Sequence, residues 1–291
     1  MREHDVVTED GRTLKVLEDG DPAGRPVLVH NGTPNSRLLF EHDVSSARRH
    51  GIRLISYDRP GYGGSTRHSG RTVGDCANDV RTIAGVLGIE RMAVWGISGG
   101  GPHAIACAAL LPDLVVAVGG LASLAPWGGE ALDYFAGMGE LNVEDLSLML
   151  EDPVAARAKC EQDRVLMLTQ TVPELMEFLD SLLAPVDAAA VTPELGRYLI
   201  DSFRSGLGTG SDGWWDDGVA MLEPWGFELS AIRTPVLLLH GRQDRFVPFA
   251  HGEWLAQAIP GIEARLTDED GHLTLTEHHL DAVHTWLLDR M

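Results

Sequence analysis

The sequence predicts an α/β fold: a mostly parallel sheet flanked by helices, built from both ends of the chain, with a helical segment inserted between two of its strands. Three observations carry this expectation. Short apolar, partly β-branched runs at 26–30, 52–57, 92–95 and 235–240 have the composition of strands buried on both faces. Helix-like stretches alternate with them, as crossover helices do in a parallel sheet. Over about 125–222 the alternation lapses into helix-like sequence and then resumes.

Taken in order, 5–8 and 12–18 flank Glu9-Asp10-Gly11 and form an edge hairpin. The run 26–30 stops at Asn31-Gly32-Thr33-Pro34, and a helix over 38–50 leads into 52–57. That strand ends in Asp58-Arg59-Pro60-Gly61-Tyr62-Gly63. A helix over 73–87 precedes the strand at Met92, and 114–121 reads as the next strand. Residues 125–222, punctuated by Pro153, Pro173, Pro185 and Pro193, form an inserted helical cap. Strand 235–240, helix 250–259, a short strand at 264–266 and a closing helix over 273–289 complete the core. The core is therefore 1–124 together with 223–291, with no internal repeat.

Composition limits what this fold can serve. With 291 residues, 44% of them hydrophobic, the chain can bury a full core and carry an inserted subdomain. No run approaches the roughly 18 apolar residues of a membrane span, and the first residues have no apolar signal region, so a cytoplasmic protein is expected. Cys76, Cys107 and Cys160 are scattered, and isolated reduced thiols are expected. The net charge of −20 opposes binding to phosphate backbones and anionic lipid, leaving a small molecule as the expected partner. The oligomeric state stays open.

The chemistry centres on Gly96-Ile97-Ser98-Gly99-Gly100, which follows the strand at Met92 and precedes a small-residue helix from Ala104. Glycine and serine are common, so the pattern gains meaning from that strand-turn-helix setting. Ser98 would project its hydroxyl at the strand end, beside the N–H groups of a helix start. Asp244 lies on the loop after 235–240, and His272 on the loop after 264–266, both at the same sheet edge as Ser98. A serine hydroxyl is a weak nucleophile, so an imidazole must take its proton and a carboxylate must orient the imidazole. Singly, Asp244 reads equally as a solvated loop acid and His272 as a polar residue in a glycine turn; jointly they complete the set. Asp268, Glu269 and Asp270, nearer in sequence, read as a solvated acidic turn. The backbone N–H groups of Gly99 and Thr33 are the candidates for an oxyanion hole, although Asn31-Gly32 also suits an ordinary turn.

On the segments 30–34, 58–63 and 96–100, the Asp244 loop and Gly271-His272, the chain resembles the α/β-hydrolase family over nearly its whole length apart from the cap. Members usually read His-Gly after the third strand, whereas here Asn31 intervenes. Haloalkane dehalogenases and epoxide hydrolases of that superfamily use an aspartate where Ser98 stands, which disfavours both activities. The resemblance implies a serine hydrolase that cleaves a small, largely apolar ester or lactone through an acyl-enzyme, with no cofactor and no metal. It also allows an aminopeptidase of the proline-iminopeptidase type, although that group usually has tryptophan where Gly99 stands and would need cap acids such as Glu140, Glu144, Asp145 or Glu151. Carbon–carbon bond hydrolases, lyases and a non-catalytic receptor share the fold.

Other features read as structural. His278, His279 and His284 lie on the last helix, where adjacent histidines diverge and no second element is expected to supply ligands. His103 lines the pocket or packs behind it. In the cap, Trp127, Tyr134, Phe135, Met138, Met149, Met167 and Phe178 are expected mostly in the core, with some facing the cleft.

Overall fold

A computed structural model describes all 291 residues. Strands β1 (Arg2–Val7), β2 (Thr13–Gly20), β3 (Arg25–His30), β4 (Ile52–Tyr57), β5 (Met92–Ile97), β6 (Val115–Leu121), β7 (Val236–Gly241) and β8 (Glu263–Thr267) form one sheet. Their spatial order is β1-β2-β4-β3-β5-β6-β7-β8. Only the β1–β2 and β2–β4 pairings are antiparallel; from β4 to β8 all neighbours are parallel. The hairpin thus provides the edge strand β1, while β2 is enclosed between β1 and β4. Because the parallel strands all end on one side, the loops after β3, β5, β7 and β8 gather there.

Both faces of the sheet are covered, which is why the central strands are apolar throughout. Helices α2 (Cys76–Val86), α3 (Gly101–Leu110) and α10 (Phe249–Ala258) bury one face against Leu28, Val94, Val118 and Leu238. On the other, α1 (Glu41–Arg49) and α11 (Thr274–Leu288) pack on Val29, Trp95 and Leu239. No helix is long and apolar enough to cross a membrane.

Six helices lie between β6 and β7: α4 (Glu140–Glu151), α5 (Pro153–Thr169), α6 (Val172–Phe178), α7 (Pro185–Ala190), α8 (Pro193–Leu207) and α9 (Asp212–Leu222). Each of the four prolines sits at the first or second position of a helix, where its missing N–H costs nothing and its fixed φ suits the turn. Asp152 and Thr192 cap α5 and α8 by accepting the N–H groups of Ala155 and Leu195. The expectation of helix from 125 onward is corrected at its start. Residues 122–139 are irregular, held by an aromatic cluster in which Trp127 meets the Tyr134 ring at 5.0 Å and the Phe135 ring at 5.5 Å. Gly128 and Gly137 both adopt positive φ in this stretch, which breaks any helical run.

Between β5 and α3 a single 3₁₀ turn spans Ser98–Gly100. Ser98 has φ of 55°, an unusual value for a non-glycine residue and one that the flanking packing must enforce. Gly100 supplies part of that packing, because a Cβ there would collide with the carbonyl oxygen of His30. The turn therefore passes directly against the end of β3. We expect Gly100→Ala to lower unfolding stability by about 3 kcal/mol through overpacking against backbone, measured by urea denaturation; a loss below about 0.5 kcal/mol would show that the turn tolerates the displacement.

Candidate active site

Ser98 stands at the end of β5 on the wall of a cavity of about 290 Å³. His272 and Thr33 line the same cavity. Asp244 lies behind the histidine, where its Oδ2 is 2.8 Å from His272 Nδ1. Its other oxygen accepts the N–H groups of Phe246 and Val247, each at 2.9 Å, which fixes the carboxylate on its own loop. The Phe246 ring stacks on the imidazole at 4.5 Å and 21°. With Nδ1 engaged by Asp244, the ring nitrogen outside that pair is Nε2. Burial pushes the His272 imidazole down, but the charge and hydrogen bond of Asp244, with the charge of Asp187, outweigh it and raise the pKa above 6.5.

Sequence reasoning misses His240. This last-but-one residue of β7 is fully buried, bonds the Val247 carbonyl through Nε2 at 2.9 Å, and lies 3.7 Å from Asp244 Oδ2. Burial lowers its pKa, so it stays neutral beneath the carboxylate. An apolar strand run gives no signal that its one histidine supports a loop acid.

The loop after β3 is held from below by residues that sequence reasoning also misses. Arg59 donates from Nη1 to the Asn31 carbonyl at 2.6 Å and from Nη2 to Thr33 Oγ1 at 3.0 Å. Asn31 Nδ2 donates to the carbonyls of Ser36 and Leu38, closing the loop on itself. The Thr33 side chain donates in turn to Asp217 Oδ2 at 3.0 Å. Its backbone N–H makes no hydrogen bond within the protein. The Gly99 Cα lies so close beneath Thr33 that a Cβ there would strike the threonine side chain. Thr33 and Gly99 are therefore neighbours at the cavity wall.

Asp217, on α9, is fully buried and collects Arg59 (2.6 Å), Arg71 (2.7 Å), the Tyr62 hydroxyl (2.8 Å) and Thr33. Burial opposes its ionisation, but the two guanidiniums overcome this and hold its pKa far below the usual carboxylate range. His103 packs behind the site rather than lining the cavity, with Nδ1 2.8 Å from the Gly99 carbonyl. Burial and the charge of Arg59 push its pKa down to about 4, so it stays neutral.

Two expectations about the histidine loop are corrected. Asp270 is only 3% exposed and is no part of a solvated turn. Its oxygens meet His278 Nδ1 at 2.7 Å and His279 Nε2 at 2.8 Å. A second element does therefore meet the adjacent histidines of α11. Burial raises the Asp270 pKa, yet the bonds from His279, Thr267 and His278 more than offset that and hold it low. These three residues, and separately the buried His30, Cys76 and Cys107, bring metal-ligating atoms within 4.8 Å of one another. In the first group those atoms are joined as hydrogen-bonded pairs.

The cavity is mainly apolar and roofed by the inserted helices. Met138, Met149, Met167 and Phe178 face it, whereas Trp127, Tyr134 and Phe135 do not. In its lining Lys159 bridges Asp145 and Asp163, with 2.7 Å to each.

The sequence matches the alpha/beta hydrolase fold family over residues 25–279. The chain belongs to the α/β-hydrolase family. It is 29% identical over 277 residues to an AB hydrolase superfamily protein of Bacillus subtilis, covering 92% of each chain. With a 2-hydroxy-6-oxononadienedioate/2-hydroxy-6-oxononatrienedioate hydrolase of Paraburkholderia phymatum it shares 28% identity over 280 residues, 94% of this chain and 89% of that one. The crystal structure of an esterase from Rhodococcus sp. ECU1013 superposes with a TM-score of 0.72 at 21% identity, covering 100% of both chains. This α/β hydrolase thus shares its architecture with enzymes of differing names.

The Asp217 cluster sets a stability expectation. Asp217→Asn keeps the shape but leaves two buried guanidiniums without a counter-charge, so we expect a loss of about 3–5 kcal/mol in urea unfolding at pH 7. In the wild type, a carboxyl with depressed pKa contributes fully above its unfolded value and loses that contribution as pH falls through the folded one. The difference between wild type and variant should therefore shrink only in strong acid. An unchanged unfolding free energy in Asp217→Asn would contradict this role.

Proposed function

We propose that this α/β hydrolase cleaves a neutral, largely apolar carboxylic ester or lactone through an acyl-enzyme, with Ser98, His272 and Asp244 as its triad. The supporting observation is the His272 imidazole, clamped by Asp244 on one nitrogen and presented to the cavity that holds Ser98. As Ser98 Oγ attacks the carbonyl carbon, its proton passes to His272 Nε2, and the carbonyl π electrons move to the oxygen. The N–H groups of Gly99 and Thr33 receive that oxyanion. Collapse expels the alkoxide, which takes the proton from His272. A water then repeats the sequence on the acyl-enzyme, releasing the acid and restoring Ser98. We assign residues 125–222 the role of a cap over the core 1–124 and 223–291, keeping bulk water from the acyl-enzyme.

The lining favours a neutral substrate over a carboxylated one. Lys159, its one lysine or arginine, is already bridged to two carboxylates. A dioate such as that named for the Paraburkholderia relative would find no unpaired lysine or arginine in the lining. The aminopeptidase reading is also weakened. Of the four acids it would draw on, only Asp145 lines the cavity, and Lys159 holds it.

Three measurements test the triad. Ser98→Ala should abolish hydrolysis of p-nitrophenyl butyrate and labelling by a fluorophosphonate while melting near the wild-type temperature. Asp244→Asn should lower kcat by about 10⁴-fold, as in other serine triads. In the wild type, activity should rise with pH as His272 loses its proton, with an acid limb above 6.5. Retained turnover in Ser98→Ala would refute the assignment, and an acid limb below 6.5 would show that the burial of His272 outweighs the pull of Asp244 and Asp187.

Specificity should reside in the inserted segment. Met138→Ala and Met149→Ala should shift the preferred acyl length in a p-nitrophenyl ester series while leaving fluorophosphonate labelling within about threefold of wild type. Trp127→Ala, off the cavity, should leave the ranking unchanged. A ranking that moves only with Trp127 would relocate the specificity pocket.

A further inference from the structure

Asp187 is fully buried, yet it belongs to the six-residue helix α7 of the inserted segment rather than to the core. Its carboxylate reaches across to the loop that carries His272. Oδ2 accepts the N–H of His272 at 2.9 Å, and Oδ1 those of Leu273 at 2.7 Å and Thr274 at 3.3 Å. These are the donors left open where α11 begins, and neither Leu273 nor any nearer side chain caps them. A buried carboxylate is tolerable when such charge-assisted bonds replace its hydration, and the partial positive charge of a helix start favours it further.

The neighbouring glycine gives an independent observation of the same contact. A Cβ on Gly271 would fall onto all three carboxyl atoms of Asp187, so the loop is shaped to admit this group. Gly271 also donates its N–H to Thr274 Oγ1 at 2.9 Å, closing the turn around it. The ring of His272 is thus oriented by Asp244 through Nδ1, while its backbone is fixed by a group 85 residues upstream in the inserted segment.

We propose that Asp187 is a positioning residue for His272, tying the seating of the inserted helices to the placement of the imidazole that serves Ser98. This rests on the triad reading above. Asp187 does not touch the ring or the substrate; it acts by holding the backbone of its neighbour. The charged groups facing His272 are Asp244 from the loop after β7 and Asp187 from α7, with neutral His240 behind Asp244.

The test compares wild type, Asp187→Asn and Asp187→Glu for kcat and KM on p-nitrophenyl butyrate across pH, for fluorophosphonate labelling, and for thermal melting. In Asp187→Asn one acceptor becomes an NH₂ facing backbone donors, so we expect kcat to fall by about 10- to 100-fold, with KM within about twofold and the acid limb moved to lower pH. Asp187→Glu keeps the charge but misplaces it, so kcat should fall while the acid limb stays near that of the wild type. If the asparagine variant is recovered unfolded, the glutamate variant carries the test, and wild-type kcat in either folded variant overturns the proposal. A merely structural role would lower the melting temperature without moving kcat or the acid limb in the folded protein, which also overturns it. Wild-type protein that Ser98-directed reagent fails to label would instead bring down the triad reading, and this role with it.

Discussion

The buried carboxylate of Asp217 joins parts of the chain that the sheet alone does not hold together. It comes from α9, and around it stand Arg59 and Tyr62 from the loop after β4, Arg71 further along, and Thr33 from the loop after β3. Burying one anion beside two guanidiniums is costly unless every lone pair is used, and here each oxygen is met by at least one donor. The geometry is correspondingly narrow. Arg59 can hold the Asn31 carbonyl and the Thr33 hydroxyl only because Asp217 compensates its charge, and the loop beside Ser98 takes its shape from those bonds.

Backbone shape on the other side of Ser98 has a different origin. The turn at Ser98 is forced by close approach, with Gly100 against the end of β3 and Gly99 beneath Thr33. Strain at φ of 55° persists because strand and helix on either side are each locked into the core. Glycines next to the serine thus let its turn close on β3, while buried side chains distant in sequence hold the loop after β3 and the loop of His272.

That division explains what is legible in the sequence. The alternation of apolar runs with helices, the four prolines at helix starts and the glycines around Ser98 are local signals, and they place Ser98, Asp244 and His272 on loops at one sheet edge. Asp187, Asp217 and Arg59 carry no local mark, since each is an ordinary charged residue until the fold brings its partner from more than 80 residues away. Asp270 shows the converse. Its acidic neighbours Asp268 and Glu269 suggest a solvated turn, but its burial is decided by two histidines on the next helix. The irregular stretch 122–139 is misread because its aromatic composition suits a helix as well as a cluster; its backbone breaks from helix at Ala122, Gly128, Ala131 and Gly137, all at positive φ.

The inserted segment is anchored unevenly. Both of its fully buried carboxylates, on α7 and α9, reach core loops, whereas the charged groups of α4 and α5 bond only within the segment, as in Lys159 with Asp145 and Asp163 or Arg157 with Asp212. Much of the apolar roof, including Met149 and Met167, belongs to α4 and α5. A change of apolar side chain there can reshape the roof while leaving the Asp187 and Asp217 contacts in place, so pocket shape and loop anchoring are carried largely by different helices of one insertion. Chimeras that exchange residues 140–182 between relatives should therefore be a milder operation than exchanges of the whole insertion.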